Sequence, residues 1–191
     1  MKQKLPNLLR RGKGLLLAFA AATMTISHAQ AQDKVKVNNF YYYLNAENKT
    51  AELAPTEETT AYATGRLVIP GSINYEGETY SVDVIGDYAF SFCDGITSVS
   101  IPSSVKRIGN GAFQGCKKLE HIEIPDSIRK IGDWAFCKCK KLQEFRFPKE
   151  LVTIGKKAFS GCNIRKLHLP DKLCYIGEDA FSKNHYLREV V

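Results

Sequence analysis

Apolar residues recur along this chain at a fixed step. Ile85-Gly86, Ile108-Gly109, Ile131-Gly132, Ile154-Gly155 and Ile176-Gly177 follow one another at separations of 23, 23, 23 and 22 residues. Each pair leads into Ala-Phe: Ala89-Phe90, Ala112-Phe113, Ala135-Phe136, Ala158-Phe159 and Ala180-Phe181. Cys93, Cys116, Cys139 and Cys162 keep the same step. An L-x-x-I-x-I-P pattern comes next, as Leu119, Ile122, Ile124, Pro125 and again as Leu142, Phe145, Phe147, Pro148. Self-similarity at such a period predicts stacked structural units, because one unit cannot bury its apolar face alone.

Each slot has a physical reason. The alternation in Ile122-Glu123-Ile124 predicts a half-buried strand, and one such strand per repeat predicts a parallel sheet along the array. Proline at 102, 125, 148 and 170 follows the last apolar strand residue, where its missing N–H ends the ladder. The glycine after each isoleucine predicts a turn with positive φ. Ala-Phe starts the return segment, with the ring filling the middle of the coil. One repeat is shortened by a residue between Cys162 and Ile164, which predicts a turn there.

The combined consensus, I-G-x-x-A-F-x-x-C-x-x-L-x-x-I-x-I-P-x-x-V, closely resembles the BspA-like leucine-rich repeat family of secreted bacterial proteins. It covers residues 84 to 191, as four full repeats of 22–23 residues and a partial fifth. Upstream, Leu67-Val68-Ile69-Pro70 and Tyr75-Glu76-Gly77-Glu78-Thr79-Tyr80-Ser81-Val82 resemble the hairpin that commonly precedes the first such repeat. The resemblance implies a leucine-rich repeat solenoid, a right-handed curved superhelix with a parallel β-sheet on one side and short helical or 3₁₀ turns on the other. It also implies a binding role, since relatives are surface or secreted proteins associated with adhesion to host proteins and other cells.

Residues 32 to 83 carry no repeat and read as a small β-rich N-terminal cap, with strand-like runs at Val35-Lys36-Val37, Phe40-Tyr41-Tyr42-Tyr43 and Leu67-Val68-Ile69. Such a cap covers the apolar end of a solenoid. Ala54 to Thr60 is a polar loop. At the other end Val190 falls where Ile122 falls and no proline follows, so the last repeat reads as uncapped.

The formal charge of +7 changes meaning once located. Lys2, Lys4, Arg10, Arg11 and Lys13 precede the first acidic residue, Asp33, which leaves 22 basic against 20 acidic side chains from residue 32 onward. That positive stretch, the apolar run from Leu15 to Ala22 and Ala29-Gln30-Ala31 make a secretory signal peptide over residues 1 to 31, cleaved near Ala31. The run is shorter than the ~20 residues needed to span a bilayer. The mature chain is expected without a membrane span, as a secreted, periplasmic or cell-surface protein.

Candidate chemistry narrows the picture further. The four ladder cysteines are expected as buried free thiols despite the exported setting. Asn184 takes their slot in the fifth repeat. Cys137 and Cys174 lie off the ladder and read as the more reactive pair. Cys137-x-Cys139 is too tight for zinc, and the glycines of Gly109 to Gly115 belong to the repeat rather than to a dinucleotide loop. Asn48-Lys49-Thr50 fits a glycosylation sequon. Lys117-Lys118 with Lys140-Lys141, and Lys106-Arg107 with Arg129-Lys130, predict two short positive ridges, solvated rather than nucleic-acid-binding. No catalytic, cofactor-binding or metal-ligating residue is assigned.

The outward strand positions are the candidate binding surface: Ser98, His121, Glu144, Lys166 and Glu189 in one row, Ser100, Glu123, Arg146 and His168 in the next. A strand spacing of ~4.8 Å predicts pairing of Glu144 with Lys166 and Glu189, and of Glu123 with Arg146. The expectation is an exported, non-enzymatic module presenting this surface to a protein or glycan, without cofactor or nucleic acid. The alternative is an assembly subunit that docks through its last repeat.

Overall fold

In the computed structural model, residues 34–55 and 64–190 are described. The expected signal segment at residues 1 to 31 and most of the expected polar loop lie outside them. β1 (Val35–Val37), β2 (Phe40–Asn45) and β3 (Thr50–Ala54) form an antiparallel meander whose last strand pairs in parallel with β6 (Glu78–Ile85). Between them β4 (Gly65–Val68) leaves this layer, and β5 (Ser72–Tyr75) closes a hairpin onto β6. The hairpin turn is Glu76-Gly77, both with positive φ (51° and 82°), the pair of left-handed residues that a two-residue hairpin demands.

From β6 onward the chain coils with two strand ladders per turn. One is the expected L-x-x-I-x-I ladder: β4, β7 (Ile96–Ser100) and β9 (His121–Glu123) pair in parallel, Arg66 beside Ser98 beside His121. The other lies at the isoleucine preceding each glycine. There β8 (Arg107–Ile108), β10 (Lys130–Ile131), β11 (Thr153–Ile154) and β13 (Tyr175–Ile176) extend the sheet begun by β3 and β6. This second ladder was not expected. Its strands are two residues long, too short to carry an alternation in sequence, yet long enough to align Ile85, Ile108, Ile131, Ile154 and Ile176.

The core is a column of rings. Phe90, Phe113, Phe136, Phe159 and Phe181 stack with centroids 5.2–5.5 Å apart and planes within 15°. Phe40 closes the first end of the column edge-on at 6.3 Å. Sequence periodicity becomes ring stacking because one repeat advances by about one strand spacing.

The turns differ from expectation in two ways. Among the described residues no helical or 3₁₀ segment forms; single i→i+3 bonds, such as Ser91 N to Tyr88 O and Cys116 N to Phe113 O, close isolated turns. Left-handed residues interrupt any longer run, at Tyr88, Gly111, Trp134, Lys157 and Asp179 and again at Phe92, Gly115, Lys138, Gly161 and Lys183. The glycine after each isoleucine is not left-handed. It is required by close approach: a Cβ on Gly132 would lie 2.7 Å from both the Asn110 nitrogen and the Gly109 carbonyl carbon.

Candidate functional site

The strand face takes its character from a fault in its ladder. β9 is followed one repeat later by residues 143–147, which form no strand, and the ladder resumes only with β12 (Lys166–Leu167) and β14 (Glu189–Val190). Among the described residues no backbone hydrogen bond joins residues 120–124 to residues 143–147. The cause is steric. This repeat carries Phe145 and Phe147 where its predecessor carries Ile122 and Ile124, and the added rings wedge against the central column. Phe145 meets Phe159 at 4.6 Å and Phe136 at 5.4 Å, and Phe147 meets Phe159 at 5.4 Å.

The fault opens a depression of about 970 Å³. Its floor is apolar, from Ile122 and the two rings, which are 8% and 5% exposed. His121, Glu123, Glu144, Arg146, Lys166 and His168 line it, together with Gln143, Lys149 and Arg165. A smaller hollow of about 380 Å³ adjoins it through His121, Gln143 and Glu144. Six of the nine sequence-derived face residues therefore converge on one place. Ser98, Ser100 and Glu189 lie on the same face outside its lining. Sequence reading missed Gln143, Lys149, Arg165 and the ring floor. The available signal was Phe at both strand slots of one repeat, followed by a repeat one residue short.

Ion pairing follows the fault. Lys166 Nζ meets Glu189 Oε2 at 2.8 Å, as expected, and this bond holds the Glu189 carboxyl below its ordinary range. Glu123 does not pair with Arg146. It accepts from Ser100 Oγ at 2.8 Å and faces Arg66 at 4.0 Å, while Arg146 turns to Asp126 at 3.7 Å. Glu144 has no ion-pair partner among the described residues. With the ladder open, residues 123 and 146 are not cross-strand neighbours, so the spacing argument fails there. One basic ridge is tied to acids from the preceding repeat, Lys117 to Asp94 at 2.9 Å and Lys141 to Glu120 at 2.6 Å.

Elsewhere the repeat slots are structural. None of the six cysteines is in a disulfide. Cys116 donates Sγ–H to Phe90 O, Cys139 to Phe113 O and Cys162 to Phe136 O, all at 3.1 Å, and Asn184 Nδ2 donates to Phe159 O at 2.9 Å. Burial raises the Cys93 thiol to about 11 and those of Cys116 and Cys162 to about 12, and lifts Cys139 well above its ordinary value. The expected off-ladder pair divides: Cys137 is buried, with its thiol raised by desolvation, and Cys174 is exposed. A further ladder runs along the slot after each glycine. Asp87 Oδ1 accepts from Asn110 N at 2.8 Å, Asn110 Oδ1 from Asp133 N at 2.9 Å, and Asp133 Oδ1 from Lys156 N at 2.8 Å. Among the described residues no group of His, Cys, Asp and Glu could hold a metal ion, and no helix is long and apolar enough to cross a membrane.

Comparison with known proteins agrees with this geometry. A leucine-rich repeat protein from Bacteroides ovatus is 33% identical, superposes with a TM-score of 0.71, and matches 82% of this chain over 40% of its own length. The leucine-rich repeat protein of T. pallidum is 32% identical, with a TM-score of 0.72, over 83% of this chain and 71% of its own. A leucine-rich cell surface protein from Faecalibacterium prausnitzii shares the fold at 24% identity and a TM-score of 0.58, over 83% of this chain and 54% of its own. The chain thus spans less than half of the Bacteroides protein. No curated protein matches. The model of the BspA type leucine-rich repeat region matches residues 72–188 in six copies, and with the ring column, the paired ladders and the Cys/Asn slot it places the chain in the BspA-type leucine-rich repeat family.

Proposed function

We propose that this chain is an exported, non-enzymatic binding module that captures a protein or glycan partner on its strand face. The observation that carries the reading is convergence: six outward-slot residues from three repeats gather on one depression with an apolar floor and a charged rim. Membership of a repeat family supports a binding surface, the positive and then apolar N-terminus supports export, and the cell-surface description of the Faecalibacterium protein supports an extracellular setting. Exposed rim charges give specificity more than affinity.

Capture of bacterial and host surface components by the chain tests the reading, with a Glu144→Lys, Arg146→Glu, Lys166→Glu variant as control. Retention by the chain and loss by the variant is expected. Equal retention by both would move the site off this face, and turnover of a small substrate would overturn the non-enzymatic part. The assembly reading has its own observation: Tyr175, Ile176, Tyr186 and Val190 are exposed on the last repeat. Light scattering separates the two, since an oligomer that dissociates on Val190→Asp would favour assembly.

A further inference from the structure

We infer that the interrupted ladder between β9 and residues 143–147 receives an extended, acidic polypeptide segment; this deepens the binding reading above and rests on it. The main chain supplies the first reason. Glu123 faces β7, its carbonyl accepting from Ile101 N at 3.1 Å. Alternation along a parallel strand then turns the N–H and C=O of Ile122 and Ile124 to the opposite edge. Among the described residues that edge has no backbone bond to residues 143–147, although Gln143 O is tied onward to Arg165 N at 3.1 Å. An unpaired strand edge is a template for an incoming strand.

Charge and floor specify what would pair there. Arg146, Lys149, Arg165 and Lys166 stand against Glu123 and Glu144, and neither Lys149 nor Arg165 makes an ion pair among the described residues. Glu123 is already engaged by Ser100 and Arg66. The unspent charge on the rim is therefore positive, which selects an acidic segment. Phe145 and Phe147 beneath it provide an apolar contact for a side chain between the acids. A uniformly anionic glycan matches less well, because it offers no alternating main-chain donors and acceptors to the open edge.

The test uses the full chain and three probes: the peptide acetyl-EVEFEVE-amide, the same peptide methylated at alternate main-chain nitrogens, and a heparin hexasaccharide. The parent peptide should bind, with amide NMR shifts confined to residues 120–124 and 143–149. Methylation that removes two main-chain bonds should weaken binding about tenfold. Charge reversal by Lys149→Glu with Arg165→Glu should weaken it about fivefold or more, with an unchanged melting curve because both side chains are exposed. Equal binding of the methylated peptide, tighter binding of heparin at the same residues, or no binding of the parent peptide would each overturn the inference. If the chain still captured partners through its strand face, the binding reading would stand and only this one would fall.

Discussion

Replacing Phe136 by alanine should be among the most damaging single changes to this fold. Its ring is fully buried, stacked between Phe113 at 5.4 Å and Phe159 at 5.2 Å, with Phe145 edge-on at 5.4 Å. Burial of a phenylalanine stabilises by about 1.5–3 kcal/mol. The two stacked contacts and the unfilled cavity raise the expected loss to about 3–5 kcal/mol. Phe181 is the internal control, because it is only half-buried and has one stacked neighbour, Phe159 at 5.5 Å, with Phe147 edge-on at 6.0 Å. Its replacement should cost about half as much and loosen only the terminal turns, since solenoid contacts reach only neighbouring repeats. Urea denaturation followed by circular dichroism measures both. In a domain of this size Phe136→Ala should lower the melting temperature by roughly 6–20 °C. Equal losses for the two variants, or a loss below about 1.5 kcal/mol for Phe136→Ala, would refute the stacked column as the stabilising element.

Three further outcomes are expected. A thiol reagent should label Cys174 alone in the native protein and all six cysteines after denaturation without reductant; fewer than four free thiols in the denatured protein would defeat the free-thiol ladder. Stability should fall as pH rises above about 9, because the unfolded chain loses thiol protons there while Cys93 keeps its proton to about 11, Cys116 and Cys162 keep theirs to about 12, and burial holds the Cys139 thiol well above its ordinary value. A variant with the four ladder cysteines changed to alanine should lose this slope in a denaturation series from pH 7 to 10.5. Gly132→Ala should cost about 1–3 kcal/mol through its clash with the Asn110 and Gly109 backbone, whereas Gly77→Ala, with nothing near its Cβ, should show only left-handed strain.

The open ladder also gives one turn of this repeat array a face unlike those of its neighbours. Repeats built on one consensus present equivalent faces, and a ligand has little to distinguish one turn from the next. Here two phenylalanines disturb one turn, and the disturbance creates both the hollow and the unpaired edge while the second ladder stays continuous from β6 to β13. The ladder at the isoleucine slots holds the repeats together across the fault.

What sequence alone determined is whatever recurs. The 22–23-residue period, the inward Ile, Phe and Leu slots and the cysteine ladder are all legible because the same environment returns at each turn, so five copies report on one physical setting. Asn184 in the cysteine slot was readable for the same reason, and its bond to Phe159 O bears this out. The tertiary structure decided what depends on differences between neighbouring turns. Whether Ile122 finds a strand partner depends on where the rings of Phe145 and Phe147 go, and that is set by packing against Phe136, Phe159 and Phe181. The pairing of Arg146 with Asp126 rather than Glu123 follows from that displacement. The glycines likewise answer to the backbone of the previous turn, a contact 23 residues away that no local propensity encodes.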